Sequence, residues 1–184
     1  MKIPSSGRKK ALFVIDVQPV FMRPHVLPIL PRIASLIQRV PYDAYIEALF
    51  HAEKGSIWDR QQRWSAPNDG RMHTMPEVAH ALAPRNPLLV VKETKSLFRG
   101  DQNVVEKLHN HKIEEVHIVG VDTNDCIIAT AFEAFDLGFF TYVLEECCQS
   151  DNSNEAHELG LQILRLQKST NNSCVEPVHE VPVT

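Results

Sequence analysis

The apolar residues fall into short, unbroken runs separated by stretches that repeat at helical spacing. Ala11-Leu-Phe-Val-Ile15 is flanked by Lys10 and Asp16, the mark of a strand buried on both faces. Ala44 to Phe50, Leu88 to Val91, Val116 to Val119 and Phe139 to Leu144 predict four more strands. Between them, Ile33, Leu36 and Ile37 share one face of a helix over Arg32 to Arg39, and Val104, Val105 and Leu108 one face of a helix capped by Asp101. Thr123 or Asn124 opens a helix whose apolar set is Ile127, Ile128, Ala131, Ala134 and Phe135, with Gly138 as its stop. Glu155 to Leu166 forms a closing helix, and a sixth strand fits either 165–170 or 174–178.

Strands alternating with helices predict an α/β fold: a three-layer αβα sandwich around a mostly parallel, Rossmann-like sheet of about six strands. At 184 residues the chain fits one domain over residues 1–184, with 171–184 as a polar, Pro-bearing tail. A net charge of −4 implies no basic face, so nucleic acid is not an expected partner. No apolar run approaches the roughly 18 residues a membrane span needs, so no membrane partner is expected either. The four cysteines, Cys126, Cys147, Cys148 and Cys174, form no C-x-x-C. Free thiols in a reducing cytoplasm are the expectation.

In parallel sheets, ligands gather outside the carboxyl ends of the strands. Asp16 follows the first run, Lys92 ends the third, and Gly120 to Asp125 leads from the fourth to Cys126. An acid, an amine and a thiol thus share one edge. In the first turn of a helix, and near Lys92, Cys126 is expected to have a lowered thiol pKa. Asp16 could accept the thiol proton and return it to a leaving group. Taken singly, each residue is as well explained by packing or by a solvated strand end. Residues 52–75 read as a long loop, where Trp58 and Trp64 either wall a pocket or anchor the loop. No G-x-G pair, P-loop or G-x-S-x-G elbow occurs, so nucleotide and serine-hydrolase chemistries lack a motif.

Three segments carry a resemblance: Ala-Leu-Phe-Val-Ile-Asp-Val-Gln with Phe21, Val-Val-Lys-Glu-Thr-Lys-Ser-Leu-Phe, and Val-Gly-Val-Asp-Thr-Asn-Asp-Cys-Ile. In that order they resemble the signature blocks of isochorismatase-like cysteine hydrolases, and the likeness spans about residues 9 to 166. The resemblance implies a catalytic triad of Asp16, Lys92 and Cys126. It also implies a cis peptide between Val121 and Asp122 that aims the Asp122 and Cys126 N–H groups at an oxyanion. A substrate pocket would draw on Gln18, Phe21, Trp58, Trp64 and Phe98. Nicotinamidases of the family carry a metal-binding Asp-x-His; no Asp here has a His two positions on. No metal or other cofactor is therefore expected, His51 is read as a strand-end residue, and His73, His80, His109, His111 and His117 as surface or loop. The expected activity is hydrolysis of a small amide or ureide through a Cys126 thioester. A vinyl-ether hydrolase using Asp16 as the acid, or a non-catalytic protein retaining the fold, are the alternatives. Relatives of this kind commonly assemble, which predicts a homo-oligomer.

Overall fold

A computed structural model describes residues 1–66, 72–100 and 103–183. Five parallel strands form the central sheet, in the spatial order β4-β3-β2-β5-β6: β2 (Lys10–Ile15), β3 (Ala44–Phe50), β4 (Leu88–Lys92), β5 (Glu115–Gly120) and β6 (Phe140–Cys148). Along β2 the side chains alternate between layers. Leu12 and Val14 enter one core, Ala11, Phe13 and Ile15 the other, so an uninterrupted apolar run is what a doubly covered strand requires. Helices α1 (Ile29–Arg39) and α2 (Pro76–Leu82) cover the first face. Helices α3 (Val104–Asn110), α4 (Ile128–Asp136) and α5 (Asn154–Leu166) cover the second.

The sixth strand does not join this sheet. Thr170 makes only an isolated bridge to Val143, and β7 (Val178–Glu180) pairs antiparallel with β1 (Lys2–Pro4), two short strands that lack a readable apolar period. The tail is thereby tied to the start of its own chain, with Met1 N donating to Val181 O at 3.0 Å. Helix α1 starts at Ile29 rather than Arg32 because Pro31 sits in its first turn, where a missing N–H costs nothing. The Asp101 cap lies outside the described residues.

His117 corrects the surface expectation. It is fully buried on β5, bonded through Nδ1 to the Tyr42 hydroxyl at 3.0 Å and through Nε2 to Glu115 Oε1 at 2.8 Å. Both ring nitrogens are satisfied, which is what makes a buried imidazole tolerable. The same strand ends in a close backbone approach. At Gly120, φ is +121° and a Cβ would stand 2.0 Å from Ile15 O; only glycine lets the ends of β5 and β2 lie that close. No described helix is long and apolar enough to cross a membrane.

Candidate active site

Asp16 leaves β2 with φ +54°, a left-handed conformation uncommon outside glycine and typical of functional turns. Its N–H is anchored on Ala48 O at 3.0 Å, which turns the carboxylate toward the carboxyl edge of the sheet. Lys92 ends β4, two strands away. Its Nζ reaches across the Phe50 ring, 4.9 Å from the centroid, to Asp16 Oδ2 at 2.7 Å, Thr94 O at 3.0 Å and Cys126 Sγ at 3.4 Å. An ammonium has three protons, and here each has an acceptor. Cys126 lies in a widened π-type turn (Thr123–Ile127) between β5 and α4, a geometry that recurs at functional sites. Thr123 Oγ1 meets His157 Nδ1 of α5 at 2.8 Å. Gly160 of α5 presses on the same turn, where a Cβ would approach the Asn124 backbone to 3.0 Å.

All three groups are buried. Burial raises the Asp16 pKa, and the Lys92 charge only partly opposes it. Burial alone would lower that of Lys92, but the Asp16 charge, with the hydrogen bonds to Asp16 and Cys126, outweighs it and the ammonium is retained. For Cys126, burial and then the Asp16 charge push the thiol well above its usual range, against the pull of Lys92. This corrects the expectation of a lowered thiol pKa: the sulfur is buried, and a turn dipole does not repay desolvation of a thiolate. Asp16 Oδ1 is buried with no hydrogen-bond partner, on a carboxyl that both Lys92 and Cys126 help to keep charged.

The cavity, ≈ 250 Å³, opens beside these groups and is lined by the rings of Phe21, Phe50, Trp58 and Trp64 and by Asp122, Asp125 and Asp151. Phe21 and Trp64 stack at 5.8 Å and 25°, and Trp58 meets the Phe50 edge at 4.9 Å. The Val121–Asp122 peptide is cis. Asp125 N and Ile127 N both donate to Asp122 O at 3.0 Å, fixing the loop before the cysteine. Asp122 Oδ1 accepts from Asp151 N at 2.7 Å. Burial and then the Asp151 charge push its pKa up to about 8.

Of the pocket residues expected from sequence, Phe21, Trp58 and Trp64 line the cavity. Gln18 and Phe98 do not. Gln18 bridges both Phe50 backbone groups, at 3.1 and 2.6 Å, and so positions the end of β3. Phe98 packs between Phe13 and Phe139 in the core. Phe50 and Asp151 went unread, although both sit just where strands end on the active edge. His51 bonds to Glu53 at 3.0 Å, and among the described residues no group of three or more His, Cys, Asp or Glu gathers to hold a metal.

A family model described as an isochorismatase domain matches residues 10–174. The chain belongs to the isochorismatase family. Maleamate amidohydrolase of Pseudomonas putida is 28% identical over 177 residues, covering 84% of this chain and 78% of that protein. Among solved structures, an isochorismatase-like hydrolase from Alkaliphilus metalliredigens superposes at TM-score 0.76 with 23% identity, over 88% of this chain and 93% of that one. The zinc complex of Pyrococcus horikoshii pyrazinamidase does so at 0.73 with 21% identity, over 88% and 97%. These structural likenesses establish the fold. The isochorismatase family is a hydrolase family, and this chain has the family's mixed α/β architecture with a five-stranded parallel sheet. The zinc of the Pyrococcus protein finds no matching donor set among the described residues here, so no catalytic step is derived through a metal.

Proposed function

We propose that this protein is an amidohydrolase that cleaves the C–N bond of a small amide through a Cys126 thioester. The observation that carries the reading is the Lys92 ammonium, bonded at once to Asp16 and Cys126, beside a buried Asp16 oxygen with no partner. As Sγ attacks the amide carbonyl, its proton passes to Asp16. The carbonyl electron pair moves onto oxygen and is held by the Asp122 and Cys126 N–H groups, donors fixed in place before the reaction begins. Collapse expels the amine, which takes the proton from Asp16. Water then attacks the thioester with Asp16 again as base, and the acid and the free thiol are released. A thiol that stays protonated at rest suits this order, because the proton leaves sulfur only when the carbonyl is in reach. Lys92 keeps Asp16 ionised and steadies the thiolate as it forms. The cavity volume suits a molecule the size of a small amide, and the Pseudomonas relative, named for amide hydrolysis, supports the same reaction class.

A vinyl-ether hydrolysis would need the acid but not the thiol. The test is mass spectrometry of the intact protein during turnover of a slow amide. A covalent acyl adduct that maps to Cys126 and vanishes in Cys126→Ala is expected. Full activity in Cys126→Ala, with none in Asp16→Asn, would overturn the thioester route.

A further inference from the structure

The amide bond accounts for one end of the cavity only. The catalytic end is the one lined by Asp16 and Cys126. The remainder is built from aromatic rings and carboxylates, a combination that needs its own explanation. The stacked Phe21–Trp64 pair and Trp58 contribute the rings, and Asp122 and Asp151 the carboxyls, joined through the 2.7 Å bond from Asp151 N to Asp122 Oδ1. Among the described residues, no cation lining this space is left to receive an anion. Lys92 has spent all three protons. Lys95, at the rim, is paired with Asp125. Arg23 is paired with Asp151 at 3.9 Å, with 58% of its side chain exposed.

A substrate carboxylate placed here would stand beside Asp151 and make Asp122, whose proton is already held to about 8, still harder to ionise, whereas an ammonium would favour ionisation of both acids and gain the ring quadrupoles. Lys95 already illustrates the second arrangement: its ammonium is bonded to Asp125 and lies 5.2 Å from the centre of the Trp58 ring. We propose that the substrate is a cationic amide, whose ammonium or quaternary nitrogen sits between the Trp58–Trp64 wall and the Asp122–Asp151 carboxyl pair. The proposal rests on the amidohydrolase reading for its reactive end, but the cation-binding end can be measured separately. It also separates this chain from its Pseudomonas relative, named for maleamate, whose substrate bears a carboxylate.

Two measurements on the full chain decide it. The first compares kcat/KM for three primary amides of similar size: trimethylammonioacetamide, its uncharged isostere tert-butylacetamide, and succinamate. The expected order places the cation about ten-fold or more above the isostere, with succinamate lowest. Asp151→Asn should erase that gap by raising KM for the cation alone. Equal rates, or a preference for succinamate that Lys95→Met abolishes, would overturn the proposal. The second titrates tetramethylammonium chloride against the fluorescence of Trp58 and Trp64, the chain's two tryptophans. A saturable change, absent with sodium chloride and weakened in Asp151→Asn, is expected. No saturable change would overturn the cation site. If none of the amides is hydrolysed yet the titration saturates, the amidohydrolase reading fails and the cation site stands.

Discussion

Asp16 affects the Cys126 thiol in two opposite ways, and the two separate cleanly under mutation. As a neighbouring charge it holds the proton on sulfur; as a base it is the group able to remove that proton during attack. Asp16→Asn should therefore speed alkylation by iodoacetamide at neutral pH while slowing amide hydrolysis by about 10²–10⁴-fold. The native thiol should alkylate slowly near neutrality and faster as the pH rises. Asp122 supplies a stability test. Its carboxyl holds a proton more tightly folded (about 8) than at its ordinary 3.8, so its contribution favours the fold at low pH and is lost as the pH climbs from about 4 to about 8. Thermal melts across that window should decline more steeply for the native protein than for Asp122→Asn. Asp16, Lys92 and Cys126 were legible because an abrupt polar residue at the end of an apolar run is visible in one dimension. The state of the thiol was not, since desolvation depends on what the rest of the chain packs over it. Phe50 and Asp151 escaped notice because an aromatic ending an apolar strand, or an acid in a polar stretch, breaks no pattern.

At the scale of elements, the site hangs on where strands stop and how closely their ends approach. Gly120→Ala would set a methyl against Ile15 O in a left-handed backbone and should cost about 3 kcal/mol or more, a fall of roughly 6–12 °C in Tm at this chain length. Activity should fall with it, because the Cys126 turn starts three residues beyond, at Thr123. The sheet strands were readable since both faces of each are apolar. Their ends were less so where charge is internally paired. Strand β6 continues past Leu144 through Glu145, which Arg165 Nε meets at 3.1 Å, and Glu146, which accepts from Asn171 Nδ2 at 2.8 Å. Both partners lie some 20 to 25 residues downstream, too far for periodicity to announce. His117 was misplaced for the same reason, its two partners being supplied by other parts of the fold or by its own strand neighbour.

For the molecule as a whole, the second helical layer ends in an apolar surface. Phe132 and Phe135 of α4 and Leu159, Ile163 and Leu166 of α5 are exposed, and helix faces of this kind are what an oligomer would cover. We expect a mass above the monomer's 20.9 kDa by light scattering at micromolar concentration, lowered by Leu166→Glu; a monomeric native protein would remove the expectation. Activity should survive EDTA, as the described residues gather no ligand set. The three reacting groups also set a requirement on assembly. Lys92 is separated from Asp16 by 76 positions and from Cys126 by 34, and the strands that carry the first two touch only through β3. Closing loops of that length is entropically expensive and belongs to the slow part of folding. No fragment of the chain can hold a competent site, so catalysis should return during refolding only when the entire sheet has zipped, later than helical signal by circular dichroism. Turnover is thus a reporter of long-range order in this protein, and a proteolytic nick between Phe50 and Leu88 that let β4 drift away would silence the enzyme while leaving most of its secondary structure intact.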